Sequence, residues 1–340
     1  MTATISDIRY PLAIPSIANH HDIVMAAEAG RLLRNTPRSV VLGYPDDVRA
    51  DWNLAAMLPG PFHAELTRTL TAASRANRYS PIARRVVGVS GPTRSAKTMS
   101  TLLCLLDICG PIILDNAPRQ NRAGALMDPI PIVWVSPKDS GVKGLVRAMA
   151  EFFGLREPLS RSTAEILKDL HRACIDHGTL YVVIDDLHGL RTGATGETIT
   201  LLREVIAALP ATVVLTGIDI HDERNSALWG KGTRRHDAQQ VRGRISWLDT
   251  TPQLTDSRTT RATGETWTLY FRPTMQSLYL AHPVPADEQT HIALTLFDVT
   301  RALYGAGLDL LTEAASEATL RGEPLTADLI REISDERARA

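Results

Sequence analysis

The chain has 340 residues, 44% of them apolar, enough for one large domain with extensions or two to three smaller units. Its 37 Lys and Arg balance 38 Asp and Glu, so net charge gives no drive toward nucleic acid; any DNA contact must come from a local basic surface. The three cysteines, Cys104, Cys109 and Cys174, show no C-x-x-C spacing and no accompanying histidine pattern, which argues against a zinc module and for a reduced, cytoplasmic protein.

Residues 1–80 read as an N-terminal helical extension. HDIVMAAEAGRLL and FHAELTRTLTAASRA carry apolar residues at helical spacing, and the stretch between them, RNTPRSVVLGYPDDVRADW, is richer in Pro and charge. The first residues lack the basic-then-apolar layout of a signal peptide. No apolar stretch is expected to reach the roughly 20 residues of a bilayer span, so no membrane partner is predicted.

From 81 to 250 strands and helices alternate. RRVVGVS (84–90), PIVWVS (131–136), TLYVVID (179–185) and ATVVLTG (211–217) are predicted strands; helices are predicted over 97–109, 141–154, 163–177 and 196–209. The strands are short and continuously apolar, as expected when helices cover both faces of a parallel sheet. The polar, basic stretch 221–244 follows. Residues 246–285 hold short β-like pieces such as ETWTLYF, and the tail from about 286 is helical. The region 251–340 is therefore expected to be a short β-rich insertion followed by a helical, lid-like part.

The chemistry concentrates in GPTRSAKT, residues 91–98, between the first strand and its helix. A Gly-led turn there lets backbone N–H groups converge on phosphate oxygens, and the following helix presents its positive N-terminus. Gly91, Pro92, Thr93, Arg94, Ser95, Ala96, Lys97 and Thr98 form the candidate cofactor loop. Lys97 is placed to reach the β- and γ-phosphates of ATP, and Thr98 to offer its hydroxyl to Mg²⁺. Ala96 stands where such loops carry a second Gly, and a positive φ there costs a non-Gly residue roughly 1 kcal/mol. Downstream, LYVVIDDLHGL (180–190) ends an apolar strand in Asp185, the candidate second Mg²⁺ partner, and Asp186, the candidate base that orients water. Thr216 closes the fourth strand at a position suited to sensing the γ-phosphate.

In this order the motifs resemble the AAA+ ATPases of transposons, the TnsC/TniB family, over about residues 80–250. GPTRSAKT resembles the family's GxSGxGKT loop and VVIDDLHGL its VIDEIQxL strand, with His188 where Gln or His is usual. VWVSPKDSGVKGLVRAMAEFFG, ATVVLTGID and QQVRGRIS resemble further family segments. The resemblance implies a P-loop NTPase of AAA+ type: a parallel sheet flanked by helices, with a helical appendage. It implies ATP and Mg²⁺ as cofactors, assembly as a ring or filament around duplex DNA, and a bridge between a target-selection protein and the transposase. Arg244, or nearby Arg242, would act on the next subunit's ATP. Lys138 and Lys143 fall where the family places its DNA-tracking residues; Lys231, Arg234 and Arg235 are further candidates. Ala96 and Asp186, in place of Gly and Glu, predict slow hydrolysis rather than loss of binding. The alternatives are a nucleotide-switch signalling or scaffold NTPase that does not touch DNA, and an enzymatically inert remnant.

Overall fold

A computed structural model describes residues 17–80, 84–121, 123–137, 141–155, 160–189, 197–221, 242–250 and 260–339. Lys138, Lys231, Arg234 and Arg235 lie outside the described residues.

Four helices precede the sheet: α1 (His20–Asn35), α2 (Arg38–Val41), α3 (Asp46–Leu54) and α4 (His63–Tyr79). A reciprocal capping box starts α1. The Asn19 side chain accepts from the Asp22 N–H at 3.2 Å, and the Asp22 carboxylate accepts from the Asn19 N–H at 3.1 Å. Then follow β1 (Val86–Ser90), α5 (Lys97–Asp115), a small hairpin of β2 (Arg119–Gln120) and β3 (Leu126–Met127), β4 (Ile132–Val135), α6 (Val142–Phe152), α7 (Thr163–Asp176), β5 (Tyr181–Ile184), α8 (Glu197–Ala208), β6 (Thr212–Gly217) and β7 (Ile245–Asp249). The C-terminal part is helical: α9 (Thr260–Ser277), α10 (Ala286–Thr300), α11 (Tyr304–Arg321) and α12 (Ala327–Arg339).

The five long strands form one parallel sheet in the order β4-β5-β6-β1-β7. The strand of the candidate loop, β1, is thus separated from the Asp185 strand, β5, by β6 with Thr216. All the strands' C-terminal ends point to one edge, so the three motifs meet there. Residues of β1, β4, β5 and β6 are buried throughout, which accounts for their lack of alternation. Gly88 is required by packing: a Cβ there would lie 2.4 Å from the Trp247 ring of β7.

The structure corrects several expectations. ETWTLYF is part of helix α9, not β structure. The Trp267–Leu269–Phe271 alternation suggested a strand, yet Leu269 is 68% exposed while Trp267, Phe271 and Met275 are buried at four-residue spacing. Within 246–285, only the segment ending at Asp249 is described as strand, and it extends the parallel sheet beside β1. The stretch between the two predicted N-terminal helices contains α2 and α3. Helix α5 continues through Pro111 to Asp115. At 19 residues it is the one helix among those described that is long and apolar enough to cross a membrane, with a mean hydropathy of 1.6. Here it is a core helix, packed against α1, α4 and β6, with Leu102–Leu106 buried.

Three apolar clusters result among the described residues: one around the sheet, one within α9–α12, and a small one of Val41, Val48 and Trp52. Helix α3 packs on α11. Asn53 of α3 is fully buried. Its Nδ2 donates to the Thr319 Oγ1 at 3.1 Å, and its Oδ1 accepts from the Tyr279 N–H at 2.7 Å. Removing that amide strands a part-buried backbone donor and takes away the hydrogen bond to the buried Thr319 hydroxyl. Asn53→Ala is therefore expected to destabilise the protein by about 2–3 kcal/mol in chemical denaturation, well above the cost of an ordinary surface change.

Candidate nucleotide site

The loop between β1 and α5 takes the conformation the sequence left open. Ala96 has φ 65° and occupies the N-cap of α5 in the left-handed region; Arg94 has φ 59°. Asp186 (φ 54°) and Asp219 (φ 46°) at the neighbouring strand ends share this feature. Left-handed backbone at four non-glycine positions around one strand edge marks a locally strained site.

No side chain caps the N-terminus of α5. Lys97 lies folded over the loop and is only 7% exposed. Its Nζ donates to the Pro92 carbonyl at 2.6 Å, the Gly91 carbonyl at 3.0 Å and the Ser95 Oγ at 3.3 Å. Ser95 in turn accepts from the Thr250 hydroxyl at 2.9 Å. Gly91 cannot be replaced, since a Cβ would lie 1.8 Å from the Thr250 Oγ1.

Asp185 joins the motifs. It is buried, and its Oδ1 accepts from the Thr98 hydroxyl at 3.2 Å, from the Thr216 hydroxyl, and from the Asp186 N–H at 3.1 Å. Burial raises the Asp185 carboxyl above its ordinary range, and the Asp186 charge adds to the effect; the hydrogen bonds from Thr216 and Thr98 oppose it. Burial also lowers the Lys97 ammonium, against the attraction of Asp186, Asp185 and Asp219. Both charges are thus held short of full solvation. A cation beside Asp185 and an anion beside Lys97 would relieve that, and the hydroxyl and carboxylate oxygens of Thr98 and Asp185 are the hard donors Mg²⁺ prefers.

These groups open into a cleft of about 510 Å³. One side is Thr93–Met99 with Asp186 and His188, and the other is Leu54, Ala56 and Leu58 with Gly305, Leu308 and Thr312. The Asp186 side chain is 61% exposed, with the His188 Nδ1 4.0 Å from its carboxylate. A polar end with an uncapped helix terminus and an apolar end of leucines suit a nucleotide: phosphates on the loop, base between the aliphatic walls.

Strand order, with the loop following β1, gives a fold of the P-loop AAA+ type. The AAA+ architecture recurs in the ORC1 protein of Aeropyrum pernix in complex with DNA, which aligns with a TM-score of 0.55 at 17% identity over 84% of this chain and 68% of that one. The ADP form of the A. pernix ORC2 protein gives 0.49 at 14% identity, over 78% and 67%. Cdc6p from Pyrobaculum aerophilum gives 0.46 at 13%, over 75% and 62%. The chain spans about two thirds of the length of these structures, and the inference of fold rests on the first of them. No family model and no curated protein matches the sequence.

Within this AAA+ frame, Gly91–Thr98, Asp185, Asp186 and Thr216 come together. Arg244 does not join them. Its carbonyl accepts from the Val86 N–H at 2.9 Å, at the N-terminal edge of the sheet, a strand length or roughly 15 Å from its own loop. Arg242 donates to the His221 carbonyl at 3.2 Å. Lys143 is exposed on the first turn of α6 and does not line the cleft.

Sequence reasoning missed Asp219, His221 and the α11 wall. His221 bridges the strand ends: its Nδ1 lies 2.8 Å from the Ser90 Oγ and its Nε2 3.2 Å from Asp249. This is not a hydrolase triad, because Ser90 is fully buried and no substrate can reach its oxygen. No sequence signal pairs residues 90, 221 and 249; β7 had first to be placed beside β1.

Two outcomes follow from the balance of terms. Asp185→Asn removes a carboxylate whose raised pKa opposes folding at neutral pH, so it should raise the melting temperature while abolishing Mg²⁺-dependent nucleotide binding. For Ala96→Gly, relief of left-handed strain, about 1 kcal/mol, is set against loss of one packed methyl, about 0.8 kcal/mol. Nucleotide affinity by fluorescence titration should therefore stay within about threefold of wild type.

Proposed function

We propose that the chain is an ATP-dependent DNA-binding regulator of transposition, which assembles on duplex target DNA and links a target-selection protein to the transposase. The observation that carries the nucleotide part is the convergence of Thr98, Thr216 and Asp186 on the buried Asp185, whose charge also acts on Lys97. DNA association is supported by the shared fold with the ORC1 protein solved with DNA. The transposon role rests on the motif resemblance to the TnsC/TniB family. Three free, buried thiols suit a cytoplasmic protein.

In this reading Thr98 and Asp185 hold Mg²⁺, which when bound offsets charge on the phosphate oxygens. Lys97 leaves the loop carbonyls for the phosphates, and the loop N–H groups orient them. Thr216 fixes the Asp185 oxygen that faces Thr98. Asp186 positions a water, one methylene further back than a Glu would, so occupancy outlasts turnover. Arg244 cannot serve its own loop; it acts on a neighbouring copy in a ring or filament, where it stabilises charge on the γ-phosphate. Lys143, with Lys138, gives phosphate contacts without sequence preference.

Electron microscopy of the full chain with duplex DNA and a slowly hydrolysed ATP analogue should show rings or filaments, and Lys97→Ala should abolish them. Assembly by that variant, or by wild type without nucleotide, contradicts the switch. Nucleotide-dependent oligomers without DNA affinity favour the signalling or scaffold reading instead.

A further inference from the structure

The outer wall of the cleft is built to hold the phosphate loop, not only to enclose it. Helix α11 begins with its backbone against the loop: the Ala306 N–H donates to the Arg94 carbonyl at 3.2 Å. A Cβ on Gly305 would fall 2.6 Å from the Arg94 oxygen and 2.8 Å from the Ala96 nitrogen, both backbone atoms that cannot step aside. Only glycine allows this approach. On the next turn Asp309 lies 3.4 Å from the Arg94 guanidinium. The Ala96 side chain, absent from a glycine-bearing loop, packs against the apolar core of α9–α12. The bundle thus seats the methyl of Ala96, and at Gly305 it leaves out the Cβ that would collide with the loop backbone.

We propose that Gly305 and Asp309 are positioning residues for the loop, and that the C-terminal bundle is a latch that keeps Arg94 and Ala96 in left-handed backbone. Alone, an Ala at position 96 would favour leaving that region; the hydrogen bond to Arg94 and the apolar seat for the Ala96 methyl oppose this. The latch makes loop and bundle one unit. Phosphate entry then reports to α9–α12 through α11, and a displaced bundle loosens the loop. This role in affinity rests on the nucleotide-site reading; the latch itself is a contact between two parts of the chain and can be tested without ligand.

The test uses the full chain and two readouts: amide hydrogen exchange of residues 92–98 and 303–310 without nucleotide, and binding of a fluorescent ATP analogue with Mg²⁺. Gly305→Ala should speed exchange in both segments and weaken binding about tenfold or more. Asp309→Arg should speed exchange in both segments about threefold, as expected for an exposed pair, and the reversal Arg94→Asp with Asp309→Arg should restore wild-type exchange. A merely structural loss would not be rescued by that reversal. If Gly305→Ala does not fold, Asp309→Arg and the reversal decide alone. Wild-type exchange in Gly305→Ala, or no rescue by the reversal, overturns the latch. If exchange responds as expected but the wild-type chain binds no nucleotide, the site reading fails and the latch remains.

Discussion

A carboxylate buried at a strand end has few ways to be tolerated, and Asp185 uses them all. Its oxygen gathers hydroxyls from α5 and β6 and the N–H of its own successor, so one charge ties the loop helix, the acidic strand and the intervening strand to a common point. The hydrogen bonds do not cancel the desolvation, and the carboxyl stays raised. A site optimised for stability alone would place an amide or an apolar residue there. The folded chain instead keeps an incompletely compensated anion within electrostatic reach of a desolvated cation, Lys97, which lines the cleft. On the proposed reading, that is the electrostatic condition for capturing a magnesium nucleotide.

The parallel sheet was legible in the sequence because strands buried on both faces read as short apolar runs, and because a loop that must receive phosphate draws on few residue types. That logic singled out Lys97, Thr98, Asp185 and Thr216, which the fold brings to one edge of the sheet. What was not legible depends on contacts distant in sequence. Trp, Leu and Phe alternate over residues 267–271, and local pattern cannot tell that Leu269 faces solvent while Trp267 and Phe271 stack on each other and pack against Tyr304. The helices within the Pro- and charge-rich stretch before α4 are short, and they are fixed by tertiary contacts such as those of Asn53. The place of Ala96 became plain only once the C-terminal bundle gave its methyl an apolar seat.

The N-terminal and C-terminal segments are therefore not appendages on a self-sufficient core. Helix α3 packs on α11, the Tyr304 hydroxyl donates to the Pro59 carbonyl at 3.5 Å, and Leu54, Ala56 and Leu58 share the cleft with Gly305 and Leu308. The walls that would receive a base come from both ends of the chain, while the groups suited to phosphate come from the sheet. On the proposed reading, such a division lets occupancy of one cleft be felt across the molecule, as a switch-like assembly protein would need.

The most direct measurement is calorimetric titration of the full chain with ATP, with and without Mg²⁺, at pH 8 and pH 5. Because the Asp185 carboxyl is raised, protons compete for it on acidification sooner than for an ordinary aspartate. The account predicts saturable binding that requires Mg²⁺, is tighter at pH 8 than at pH 5, and is lost in Lys97→Ala. Absence of binding under all four conditions, or binding indifferent to Mg²⁺, contradicts it.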